Sequence, residues 1–163
     1  MAIVVSDTSP IRALHHLGIL TVLERLYGQV YIPDAVAKEL GRTRRRFSSL
    51  DPSTYPFLSV QSPQDLSKVR ELERRLDGGE AAALVLAMER KADVVLIDER
   101  LGREVARELG LPVIGVLGIL IEAKDRNLVS ALRPLLDRLQ KELDFYLSSS
   151  LVIDVLRRAG EVV

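Results

Sequence analysis

Apolar residues along the chain fall into short continuous runs, separated by longer stretches in which they recur every three or four positions. The continuous β-branched runs at 2–6, 29–32, 94–97 and 112–114, with a weaker one at 57–60, predict strands covered on both faces. The three-to-four period predicts helices over 10–17, 19–26, 33–40, 63–76, 80–90, 101–109, 116–125, 130–143 and 151–159. Strands alternating with helices read as βαβ units. The expected fold is therefore a three-layer α/β/α sandwich of Rossmann-like character, with a mostly parallel central sheet in a single domain over 1–163.

Local signals punctuate the pattern. Ser62 before Pro63 is a hydroxyl cap ahead of a first-turn proline, and Pro33 follows the second strand in the same manner. Gly18, Gly41, Gly110 and Gly160 sit just past periodic stretches, where a left-handed residue can end a helix. Ser148–Ser150 precede a helical pattern and read as capping residues. The segment 41–56 lacks a period and carries Arg42, Arg44, Arg45, Arg46 and two prolines, so it reads as an exposed loop.

Two strand runs end in acids, and this pattern carries the chemistry. The run at 2–6 meets Asp7 and then Thr8-Ser9-Pro10, while the run at 94–97 meets Asp98 and Glu99. In open parallel sheets the carboxyl ends of strands face the ligand crevice, so acids placed there point to a substrate or a cation. Glu80 follows Asp77-Gly78-Gly79 at a helix start, where negative charge is favoured. Glu39 stands near a helix end, where it is mildly unfavourable unless something binds it. Read alone, Asp7 and Asp98 are equally consistent with helix caps, and Glu39 with a solvated helix face.

Bulk properties narrow the classes. With no cysteine, disulfides and thiolate metal sites are excluded. Lys+Arg and Asp+Glu both number 23, so no global charge draws the chain to nucleic acid and local patches must decide. The longest apolar stretch, 109–121, is broken by glycine and proline and falls short of the ~20 residues of a spanning helix. Asp7 also interrupts the first apolar run before it could serve as a secretory signal, so a cytoplasmic location and no membrane contact are expected. His15 and His16, the only histidines, are adjacent on a predicted helix and point about 100° apart, so they cannot both serve one site.

The ordered set of Val5-Ser6-Asp7-Thr8-Ser9-Pro10, Tyr31-Ile32-Pro33 with Glu39-Leu40, Leu76-Asp77-Gly78-Gly79-Glu80-Ala81, Leu96-Ile97-Asp98-Glu99-Arg100 with Gly102-Arg103, and Gly110-Leu111-Pro112-Val113-Ile114-Gly115 resembles the PIN-domain nucleases. The resemblance spans nearly the whole chain and is to the PIN-like branch related to VapC-type toxins. It implies an acidic pocket of Asp7, Glu39, Glu80 and Asp98 holding Mg2+ or Mn2+, with Thr8 and Ser9 orienting the first carboxylate and Glu99 as a supplement. It further implies hydrolysis of RNA to 5′-phosphate and 3′-hydroxyl ends, an antitoxin partner and a homodimer.

Hard divalent cations prefer such oxygen ligands, and one bound to a few carboxylates keeps waters, so no histidine base is needed. Most relatives carry an aspartate within a helix as the third acid, whereas this chain offers Glu80. Arg44 and Arg45 in the loop, with Arg100 and Arg103 beside the last acid, are candidate phosphate contacts; solvation or pairing with Glu99 or Glu104 is the plainer account. Apolar positions of 116–125 and 130–143 are candidates for partner contact. Two rival functions remain open: a binding module without catalysis, and a haloacid-dehalogenase-like phosphatase. The phosphatase would need an acid where Ser9 stands.

Overall fold

The computed structural model describes residues 2–162. Five strands, β1 (Val4–Ser6), β2 (Val30–Ile32), β3 (Leu58–Val60), β4 (Val94–Leu96) and β5 (Val113–Ile114), form one all-parallel sheet in the order β3-β2-β1-β4-β5. Central β1 pairs with both neighbours, Val5 against Tyr31 on one side and against Val95 on the other. Successive side chains of a strand leave opposite faces of the sheet, and here both faces are apolar. Val4, Ile32 and Leu96 enter one core and Val5, Val95 and Ile97 the other.

Helices α1 (Thr8–His16), α2 (Val22–Tyr27), α7 (Val116–Asp125), α8 (Arg133–Leu143) and α9 (Ser149–Arg158) supply the first core, through residues such as Ile11, Leu23, Ile119, Leu136 and Val155. Helices α4 (Leu66–Leu72), α5 (Gly78–Arg90) and α6 (Arg100–Glu108) cover the other face with Leu72, Leu84 and Val105. Short α3 (Asp34–Leu40) follows β2, sends Val36 and Leu40 into the first core, and touches both α1 and α5. The result is the expected α/β/α sandwich.

Several local expectations are corrected. Helix α4 is shorter than 63–76 at both ends and starts from Asp65, not Ser62, because the Asp65 carboxylate accepts the Lys68 N–H at 3.0 Å. Glu89 meanwhile takes the N–H groups of Gln64 and Asp65, which keeps those residues out of the helix. Pro33 is the residue before α3 and not its first turn. Gly41 ends α3 with φ −71°, so no left-handed turn is needed there. Helix α8 begins at Arg133 rather than 130, because Glu161 holds the preceding Leu132 N–H at 2.6 Å. Segment 41–56 is not a plain loop: Arg44 and Phe47 bridge each other, a 3-10 turn spans Pro52–Thr54, and Leu50 is buried. The apolar faces of α7 and α8 lie largely in the core and offer little partner surface. Ser148 caps α9 as expected, accepting the Leu151 N–H at 3.2 Å.

Candidate active site

The chain runs from β1 to β3 in one direction and then crosses to β4 on the far side of β1, so the switch point lies between the ends of β1 and β4. Asp7 and Asp98 stand at that point, and the Asp7 N–H donates to the Leu96 carbonyl at 2.9 Å. A cleft of about 650 Å³ opens there, bordered by Asp7, Glu39, Asp77, Glu80, Asp98 and Glu99. All four acids singled out in the sequence therefore reach one cavity.

Neither aspartate is merely a cap for the helix that follows it. Asp7 precedes α1 yet makes no side-chain cap bond and is only 3% exposed. Burial holds its carboxyl well above the ordinary carboxylate range, and the negative charges of Glu80, Asp77 and Glu39 add to this against a Thr8 backbone N–H. Asp98 does not cap α6; its Oδ1 accepts the N–H of Val116, the first residue of α7, at 2.9 Å. Its Oδ2 is sealed from water with no partner among the described residues, although the residue as a whole is partly exposed. Burial raises this carboxyl to about 6, opposed by the Val116 N–H and the nearby Arg103.

Glu80 sits in the first turn of α5 within a capping box: the Asp77 carboxylate accepts the Glu80 N–H at 2.8 Å, and Glu80 Oε1 accepts the Asp77 N–H at 3.4 Å. Its second oxygen is buried without a partner among the described residues, and burial, then Asp77, pushes its carboxyl up to about 7. Glu39 is fixed from α1, where Thr8 Oγ1 donates to its Oε2 at 2.6 Å. That corrects the expected role of Thr8, whose hydroxyl serves Glu39 and not Asp7. Ser9 borders the cleft with no side-chain hydrogen bond among the described residues.

Small residues let these acids in. A Cβ on Gly79 would lie 2.8 Å from Glu39 Oε1, one on Gly102 2.5 Å from Glu80 Oε2, and one on Gly115 2.7 Å from Asp98 Oδ1. Each glycine thus gives up its side-chain volume to a different carboxylate.

The arginines divide. Arg44 and Arg45 border the cleft. Arg103 lies beside Asp98. Arg100 does not border the cavity; its side chain is 95% exposed and meets Glu104 at 3.4 Å, the plainer account given for it above. His15 and His16 stay outside the cleft, where His15 packs edge-on against Tyr55 and His16 bonds Glu142 at 2.8 Å.

Two charged residues of the cleft were missed in the sequence. Asp77 is legible afterwards as the first member of an Asp-x-x-Glu capping box. Arg12, one helical turn past Thr8, is buried and donates to the backbone carbonyls of Glu39 and Arg42, capping the end of α3. Its neighbours one turn away, Thr8, Ser9, His15 and His16, are all polar, so residue type gave no signal of its burial.

The donor set is oxygen alone, and two of its buried oxygens lack a partner among the described residues, which suits a hard divalent cation. Among the described residues no three acidic or histidine side chains already stand within reach of one ion, as mutual repulsion of bare carboxylates favours.

An all-parallel α/β domain with a carboxylate-lined cleft at its switch point carries its candidate site where open parallel sheets bind ligands. The PIN-domain description (DUF3368) matches residues 3–161, and the chain belongs to that family, whose fold is nuclease-like. No curated protein matches the chain. Among the described residues no helix is long and apolar enough to cross a membrane.

Proposed function

We propose that this PIN domain is a divalent-metal-dependent endoribonuclease in which Asp7, Glu80 and Asp98 hold Mg2+ or Mn2+ and Glu39 completes the acidic pocket. The observation that carries the reading is the meeting, in one cleft, of three carboxyls from separate elements, Asp7 and Glu80 buried and Asp98 partly so, all raised by burial and two with an oxygen unpartnered among the described residues. Acids so destabilised in the charged form are those that gain most from a cation. The ion, when bound, acidifies a water and offsets charge on the phosphodiester.

The chain's own residues do the positioning. Thr8 fixes Glu39, Asp77 fixes the turn that presents Glu80, and the Val116 N–H fixes Asp98. Glu99 stands at the cleft as a supplementary carboxylate, and Arg103 tempers the charge on Asp98. The family resemblance further supports a toxin role in the cytoplasm, with a cognate antitoxin and a second copy of the chain as partners; coexpression with an adjacent small gene should then silence cleavage.

Purified protein should cut labelled RNA in Mg2+ or Mn2+, stop in EDTA, and lose cleavage in Asp7→Asn. Full divalent-dependent cleavage by Asp7→Asn would falsify the assignment. One observation favours a second reading, a PIN fold that binds without cutting: the acids are not already gathered around one point. RNA binding in EDTA with no cleavage in either ion would select it.

A further inference from the structure

The segment between α3 and β3 is built as a stapled wall. Arg44 and Phe47 exchange two backbone hydrogen bonds, Arg44 N–H to Phe47 O at 3.1 Å and Phe47 N–H to Arg44 O at 2.9 Å, which closes a tight hairpin with Arg45 at φ 52°. Both ends of the hairpin are tied to helix carboxyl ends by guanidinium groups. Arg12 reaches from beneath to the carbonyls of Glu39 and Arg42 and lies 5.5 Å from the Phe47 ring centre. Arg46 turns away from the cleft to the end of α8, donating to Glu142 O at 2.8 Å, Lys141 O at 3.3 Å and Asp144 Oδ1 at 3.2 Å.

Two of the arginines are therefore spent on structure. Arg42, Arg44 and Arg45 border the cleft and form no ion pair among the described residues. By bonding Asp144, Arg46 also ties the hairpin to the segment that carries Phe145, which borders the same cleft with part of its ring packed against the core. Gln140 steadies that turn by donating to the Leu147 carbonyl at 3.0 Å.

A floor of carboxylates repels a polyanion, so a phosphodiester strand needs cations at the rim, and flat rings there stack only on bases that are unpaired. Resting on the nuclease reading above, we infer that the hairpin of residues 42–47 is the strand-gripping wall of the cleft. Arg44 and Arg45 contact the phosphates of unpaired RNA, Phe145 stacks a base, and Arg46 is a positioning residue that never touches the substrate.

Anisotropy of a short labelled single-stranded RNA, titrated in EDTA across a salt series, tests the wall without cleavage. Arg44→Ala/Arg45→Ala should flatten the plot of log affinity against log salt by about 1.4, since a single strand yields about 0.7 per phosphate contact. Phe145→Ala should weaken binding roughly 10-fold, and the same RNA annealed to its complement should bind at least about 10-fold more weakly. Arg46→Ala decides the positioning role. It removes the one guanidinium nitrogen, Nη1, that bonds two carbonyls and Asp144, so binding should weaken with the salt slope at its parental value, where a direct phosphate contact would cost about 0.7. The Arg46 side chain is 52% exposed, so the variant should melt as the parent does.

An unchanged salt slope in the double variant, equal duplex binding, or, in Arg46→Ala, parental binding or a slope flattened by about 0.7 overturns the inference. Cleavage that persists while the slope is unchanged sinks the wall alone; normal slopes without cleavage in Mg2+ or Mn2+ sink the nuclease reading alone.

Discussion

Asp98→Asn should make the metal-free protein more stable while removing its activity. The Asp98 carboxyl titrates at 3.8 ordinarily and at about 6 in the fold, and each unit is worth about 1.36 kcal/mol, so ionisation opposes folding by about 3 kcal/mol. Partial exposure of the residue trims that toward about 2 kcal/mol. A group raised on folding lends stability below its unfolded value and loses it as pH climbs through its folded value. The parent should therefore weaken between about pH 4 and about pH 6, and the advantage of Asp98→Asn should be absent below that window, grow across it and stay level above.

The asparagine keeps an oxygen for the Val116 N–H but buries an amide where Oδ2 had no partner, which costs about 1 kcal/mol. A net gain of about 1 kcal/mol remains, or roughly 2–4 °C in melting midpoint for a chain of this size. Calorimetry in EDTA at several pH values reads it directly. Mg2+ or Mn2+ added afterwards should raise the parent's midpoint and leave the variant's unmoved. A lower midpoint for Asp98→Asn at neutral pH, or a difference that ignores pH, would refute the argument that this carboxylate is held in unfavourable surroundings for a cation's sake.

Gly102→Ala places a methyl 2.5 Å from Glu80 Oε2 and 2.6 Å from Ile97 Cδ1, and should lower stability by about 1–3 kcal/mol in urea melts while reducing cleavage; an unchanged midpoint contradicts the crowding. Asp77→Ala removes the cap of α5, with an expected loss of about 1 kcal/mol and weaker activity as Glu80 loses its anchor; thermal melts and initial rates check both. Thr8→Val should cost about 1 kcal/mol and depress turnover by freeing Glu39, whereas Thr8→Ser should restore both, since only the hydroxyl matters.

The sheet was readable in the residues because strands covered on both faces cannot hide their apolar character. Even weak β3, whose Val60 is exposed, fell inside its predicted run. Helix starts were less legible where a distant side chain sets them, as Glu89 does before α4 and Glu161 before α8. At the site, Asp7 and Asp98 were visible from their place at strand ends. The resemblance assigned Thr8 to the first carboxylate, yet its hydroxyl serves Glu39, which α3 brings across from 31 positions away. Arg12 shows the same gap: its partners are backbone carbonyls, which leave no trace in residue type.

The placement of Asp7 on the central strand has one more consequence. Its amide is tied into the innermost part of the sheet, whereas the arginine hairpin rests on two guanidinium staples, one of them, Arg46, half exposed. Local opening begins where buried contacts are fewest. On gradual warming, substrate capture should therefore fade first, as a rising KM, while the turnover of whatever RNA is still held declines only when the sheet itself gives way.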